Sequence, residues 1–181
     1  MRWIWYVRRW HIEQPELDPA WVLGVIAQES GGNPDAEASD SWGSVGLMQI
    51  GPRSWIGTRG RLLDPGTNIR TGMRILSQAL KQANGDIRLA LAHYNCGEIR
   101  VENGKCGSNG GFAYADRVLD YWAPIFRAEL VVIAGNTEYP EIQEWLAELG
   151  YLYGMGKWDE EVMQPIEPIR VNSSSGFLYI N

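Results

Sequence analysis

The chain has 181 residues and a formal net charge of −6, with 45% hydrophobic and 21% charged residues. That length suits one domain with a full core plus an appendage, and the acidic balance argues against nucleic-acid binding, which needs a positive excess to displace counterions. No run approaches the ~20 apolar residues of a membrane span.

The first residues, "MRWIWYVRRWH", are basic and aromatic. Their apolar run, Trp3 to Val7, is shorter than the ~7 residues of a signal-peptide core, and no small-residue cleavage site follows. No secretion signal is therefore expected in the chain itself. The first expected helix begins at Asp18, an N-cap residue followed by Pro19, and stops at Gly31-Gly32. Glu29 falls almost directly above Val22 and one turn past Val25, so its carboxylate shares the apolar stripe. Two readings of it compete: a glutamate bent out to solvent, or a proton donor whose acidity burial weakens.

A long irregular loop follows, rich in glycine and turn formers, "NPDAEASDSWGSVGLMQIGPRSW". The next helix begins near Asp64-Pro65 or Thr67, carries Ile69, Met73, Leu76 and Leu80 at helical spacing, and stops at Gly85. Asp86 caps "IRLALAHYN". Residues 97–111 read as a polar loop. "FAYADRVLDYWAPIF" is a further helix that Pro124 bends or ends, and a weaker helix follows Pro140. From residue 150 the pattern loses periodicity. The expectation is a mainly α protein with a helical domain over 15–128, an N-terminal segment 1–14 and a C-terminal extension 129–181.

Several side chains invite chemistry. Nine tryptophans and eight tyrosines are a heavy load. Such rings fill cores, and they also line sugar clefts, where a flat apolar ring meets a pyranose face. The cluster Arg53, Arg59, Arg61, Arg70 and Arg74 could meet an anionic polymer or be a solvated helix face. His11 and His93 are far apart and make a poor metal site, so no metal or other cofactor is expected. Cys96 and Cys106 either close a short loop, worth roughly 2 to 3 kcal/mol on the chain-entropy model, or remain two thiols.

Three segments share a logic. "AQESGGNPDA" holds Glu29 and Ser30, "GSVGLMQIGP" holds Met48 and Gln49, and "LALAHYNCG" holds Tyr94 and Asn95. Each places polar groups at a helix end or loop junction, where side chains converge on clefts. Together they resemble the signature motifs of the soluble lytic transglycosylase family, relatives of goose-type lysozyme: Glu-Ser then Asn-Pro, Gly-Leu-Met-Gln, and Ala-x-Tyr-Asn. "YADRV" resembles the fourth motif and would turn Tyr114 toward the site. The resemblance covers roughly residues 15–125.

It implies a lysozyme-like helical domain that cleaves the β-1,4 bond between N-acetylmuramic acid and N-acetylglucosamine in peptidoglycan, leaving a 1,6-anhydro end. Hydrolytic glycosidases usually use two carboxylates, ~5 to 5.5 Å or ~6.5 to 9.5 Å apart. A transglycosylase can work with Glu29 alone as acid and then base. The resemblance groups Ser30, Met48, Gln49, Tyr94, Asn95 and Tyr114 around the substrate. Gln49 would hydrogen-bond the sugar, Met48 pack against it or simply fill the core, and Tyr94 orient the acid or the N-acetyl group. Asn95 would cap or brace the backbone, and Ser30 cap the helix or brace Glu29.

There are departures from the pattern. Ser44 replaces a common alanine, Gly110-Gly111 stands where Glu-Thr is expected, and Cys96 follows Tyr-Asn where a small residue is usual, which favours a lineage-specific disulfide. Goose-type lysozymes carry loop aspartates; here Asp35, Glu37 and Asp40 are the candidates for a second acid. The rivals are a hydrolytic muramidase with Asp40 positioning water, and a non-catalytic wall-binding or structural module, which would not need Glu29. Without a secretion signal, such an enzyme would reach the wall as a virion component or by phage delivery, with the C-terminal extension free to meet virion or secretion-machinery proteins.

Overall fold

Aspartate caps set the helix starts. In the computed structural model, which describes residues 2–39, 43–51, 59–135 and 138–151, three helices begin this way. In α2 (Pro19–Ser30) the Asp18 side chain accepts the Ala20 N–H, in α4 (Pro65–Gln82) Asp64 accepts Thr67, and in α5 (Ile87–Cys96) Asp86 accepts Leu89. Each carboxylate satisfies a donor that the first turn leaves without an intrahelical partner. Gly31 ends α2 in the left-handed region at φ 60°, and its N–H returns to the Ala27 carbonyl; a side chain at that φ would be strained.

Helix α2 is the centre of the molecule. Val22, Leu23, Gly24, Val25 and Ile26 are all buried, five consecutive residues and so every side of the helix, rather than the stripe expected from periodicity. A helix apolar all round is one surrounded by others. α1 (Ile4–His11) packs against both α2 and α4, and α8 (Ala123–Ala134) covers another side of α2. The remaining helices are α3 (Arg59–Leu62), α6 (Glu98–Glu102), α7 (Phe112–Asp116) and α9 (Pro140–Glu148). Among the described residues there is no strand, only isolated bridges from Val45 to Glu37 and to Ile50.

Two expectations from sequence are corrected. The segment 97–111 is not all loop, because Glu98–Glu102 forms α6. Pro124 neither ends nor interrupts the helix around it: α7 runs through a π-helical turn (Arg117–Trp122) into α8, and the Ala123 N–H reaches back five residues to the Val118 carbonyl. The widened turn directly precedes the proline, which has no N–H to place in the ladder and sits at the start of α8. The same turn lies close against α2, where an added Cβ on Gly24 would come within 3.2 Å of Val118 Cγ1. Packing also joins residues on either side of positions 15 and 128. Ile4 and Val7 from α1, and Ile142 and Leu146 from α9, share one buried cluster with α2 and α4. α1 hid this because only Ile4, Val7 and His11 are buried in it, among two arginines and three aromatics that keep some exposure.

Candidate active site

Glu29 stands in the last turn of α2, whose end is held from two sides. Trp122 Nε1 donates to Gln28 Oε1 at 2.9 Å, and Trp3 Nε1 donates to the Gly32 carbonyl at 3.2 Å. Glu29 keeps partial exposure, as a group that must meet a substrate should. The surrounding protein nevertheless desolvates its carboxyl and raises its pKa from 4.5 to about 7, while a hydrogen bond from Tyr114 opposes the rise. That bond runs from Tyr114 Oη to Glu29 Oε1 at 2.8 Å. Tyr114 comes from α7 and is 2% exposed. Burial pushes the phenols of Tyr94 and Tyr114 well above their usual range, so both stay neutral donors.

The loop carrying Met48 and Gln49 is fixed by bonds to its backbone. Ser30 Oγ lies 2.8 Å from the Leu47 carbonyl and 3.1 Å from the Ile26 carbonyl, and it accepts the Gly32 N–H. Tyr94 Oη donates to the Met48 carbonyl at 2.7 Å. Gln49 Nε2 donates to the Ala36 and Gly46 carbonyls, so its Oε1 is the side-chain atom left to face a ligand. Gln49 itself adopts φ 47°, a left-handed conformation uncommon for a residue with a Cβ. Asn95 Oδ1 accepts the Gly111 N–H at 3.0 Å, bridging α5 to the start of α7. Cys96 and Cys106 are joined by a disulfide.

Glu29 and Tyr114 are thus brought into direct contact, while Ser30, Tyr94 and Asn95 spend their polar atoms on backbone. Met48 follows the core-filling reading. Its side chain is fully buried and fills the space that Gly72 leaves on α4, so it supports the loop instead of offering a surface to a sugar.

Two residues went unnoticed in the sequence. Fully buried Asn68 accepts the Met48 N–H at 2.8 Å and donates to the Val45 and Leu62 carbonyls, clamping the loop to α4. Gly72, four residues on, makes room for Met48. The available signal was a pair of poor helix formers four apart in a strong helix.

Of the candidate second acids, Asp35 is exposed, Glu37 forms a 2.8 Å ion pair with Arg59, and Asp40 lies outside the described residues. Arg53 also lies outside them. Among the described residues no cluster of His, Cys, Asp and Glu could hold a metal ion, and no helix is long and apolar enough to cross a membrane. Two cavities lie away from Glu29. One of about 350 Å³ is at the opposite end of α2, beside Asp18, Arg127 and Tyr151. Another of about 290 Å³ lies between Trp10 and Arg61, Arg70 and Arg74. Neither is lined by Glu29, the carboxyl whose pKa burial raises.

Comparisons with known proteins bear on the family of the chain. The model of the family described as "Transglycosylase SLT domain" matches residues 8–112, more than half of the chain. The chain belongs to that family. A transglycosylase of Enterobacteria phage PRD1 is 37% identical over 86 residues, 46% of this chain and 31% of that protein. The structure of lytic transglycosylase Slt from Pseudomonas aeruginosa, solved as an inactive Glu-to-Gln mutant, matches with a TM-score of 0.58 and 26% identity. That match covers 68% of this chain and 24% of Slt. The SLT chain described here therefore spans about a quarter to a third of the length of these two relatives, and its helical fold is the lysozyme-like one of the family.

Proposed function

We propose that the chain is a peptidoglycan lytic transglycosylase in which Glu29 is the only carboxyl that moves protons. The observation that carries this reading is the partly buried Glu29 carboxyl, whose pKa is raised to about 7 and which, among the described residues, is held by one neutral phenol. A group titrating near neutrality is protonated often enough to give a proton and ionised easily enough to take one back. In the first step Glu29 protonates the departing glycosidic oxygen as the C1–O bond breaks, and the substrate's N-acetyl group supports the positive charge on C1. In the second step ionised Glu29 removes the proton from the muramic C6 hydroxyl. That oxygen bonds to C1, closing the 1,6-anhydro ring and restoring neutral Glu29. No water is consumed.

Tyr114 orients the carboxyl, and Gln49 Oε1 accepts from the sugar. Ser30, Met48, Tyr94 and Asn95 act one step back, holding the segments that carry those groups. In support, Slt of similar fold is described as inactive after a Glu-to-Gln exchange, the same chemical change that would silence Glu29. The phage relative supports delivery to the wall with a virion. Mass spectrometry of muropeptides released from purified sacculi tests the reading. Anhydro ends, lighter by one water than reducing ends, are the expected product; reducing ends alone would make the chain a hydrolytic muramidase.

A further inference from the structure

The segment between α5 and α7 is folded tightly onto its own disulfide. Cys96 is the last residue of α5, and Cys106 is bonded to it across ten positions of sequence. The next turn brings Gly110 and Gly111 against Cys106. A Cβ on Gly110 would lie 2.5 Å from the Cys106 carbonyl oxygen and 3.1 Å from Asn95 Oδ1. A Cβ on Gly111 would lie 2.9 Å from Cys106 Cβ and 3.0 Å from its Sγ, and Gly111 also has φ 57°. Only glycine fits these positions without displacing the cysteine.

Gly111 is also where the catalytic geometry begins. Its N–H is received by Asn95 Oδ1, next to Cys96 in sequence, and it is the cap residue of α7. Three residues later Tyr114 reaches Glu29. One short path therefore runs from the disulfide through Asn95 and Gly111 to the phenol on the reacting carboxyl. α7 has a second tether, the two-pronged pair of Arg88 with Asp116 at 2.7 and 2.9 Å, and Arg117 donates to the Asn109 carbonyl. Those contacts are exposed and fix the outer side of the helix, so opening the disulfide loosens the approach to Tyr114 without releasing α7 altogether.

We propose that the Cys96–Cys106 disulfide is a positioning element of the catalytic site, so that glycan cleavage depends on the oxidised state of this pair. The inference rests on the roles given above to Glu29 and Tyr114 and adds a regulation of that site. A chain kept reduced in a thiol-rich compartment is weakly active, and it becomes competent when the two thiols surrender two electrons and two protons to an acceptor disulfide outside it. Of the described residues, those acting electrostatically on Glu29 are the phenols of Tyr94 and Tyr114, both neutral. The Tyr114 bond favours the ionised carboxyl, so its loss lifts Glu29 further.

The experiment uses the full chain with its disulfide intact, and the same chain after dithiothreitol. The reductant closes to its own disulfide and leaves two protein thiols. Glu29 titration is followed by NMR of its side-chain carboxyl in both forms, with circular dichroism confirming the fold. Its midpoint is expected to move upward on reduction, and cleavage of purified sacculi to fall ~10-fold or more, as it does when a positioning group drifts. Tyr114→Phe in the oxidised chain is expected to give the same upward move, and replacing both cysteines by alanine in that variant to add nothing further. An unchanged Glu29 midpoint in the folded, reduced chain overturns the inference, as do additive effects of the two changes. If the midpoint moves but neither form cleaves sacculi, the positioning stands and the transglycosylase reading fails.

Discussion

A carboxyl with a pKa of about 7 weakens the fold that holds it at neutral pH. Glu29 titrates near 4.5 when solvated, so between 4.5 and about 7 the folded chain binds more protons than the unfolded one. Stability therefore falls as pH rises through that window and stays lowered above it. Allowing for the water that still reaches the side chain, the penalty is ~2 to 3 kcal/mol. Glu29→Gln removes the charge and can still accept the Tyr114 hydroxyl. The variant is expected to be more stable than the parent by about that amount at about pH 8, with the gap closing towards about pH 4. It is also expected to lose at least ~10²-fold in cleavage rate. Urea unfolding at the two pH values checks the first claim, and a variant no more stable than the parent at the higher pH refutes the desolvation of Glu29. At this scale the sequence pointed to Glu29 as the candidate acid, and through the resemblance to Tyr114 beside it, but not to the way the neighbouring loop is held. Nothing in "ES" announces that the Ser30 hydroxyl will meet the Leu47 carbonyl, and nothing in "NIRTG" announces that Asn68 will clamp three backbone groups. Ser30 meets a carbonyl 17 residues away, and two of the three groups that Asn68 holds lie 20 and 23 residues away in the chain.

Elements were legible where a local rule fixes them. Asp18, Asp64 and Asp86 each accept an N–H from the first turn they precede, and the glycines after α2 stop it. The helix from 112 to 134 was less legible, because its π-helical turn answers to packing against Gly24 and not to local propensity. The loop with Met48 shows how packing outranks propensity again. Alanine is the better helix former by ~1 kcal/mol, so Gly72→Ala in isolation should strengthen α4. In the folded chain the new Cβ would fall 2.4 Å from Met48 Sδ and 2.8 Å from Met48 Cβ, in a fully buried setting. Overpacking of this kind is expected to dominate, with a net loss of ~1 to 3 kcal/mol and a fall in cleavage as the Gln49 loop shifts. Denaturant melts of the two proteins decide it. A Gly72→Ala chain as stable as the parent would mean that Met48 does not occupy that notch.

For the whole molecule, the question is how much chain the site needs. The expected helical domain spans 15–128, and the packing shows what residues beyond it contribute to stability. α9 lies on α8 and α1, Ile142 and Leu146 are 1% and 0% exposed, and the Trp145 ring meets His11 edge-on at 5.4 Å. Tyr151 closes this side by hydrogen-bonding to Asp18, the cap of the helix that ends in Glu29. Burying two aliphatic side chains is worth ~3 kcal/mol or more, and a chain ending near residue 135 would also bare the surfaces of α1 and α8 beneath them. Such a chain is expected to melt well below the parent and to lose cleavage in proportion to its unfolded fraction. A chain ending at Tyr151 keeps α9 and the Asp18 contact, and is expected to melt well above the shorter one and to retain cleavage of sacculi. If the chain ending at Tyr151 folds fully yet cannot cleave, residues 152–181 contribute directly to the active cleft.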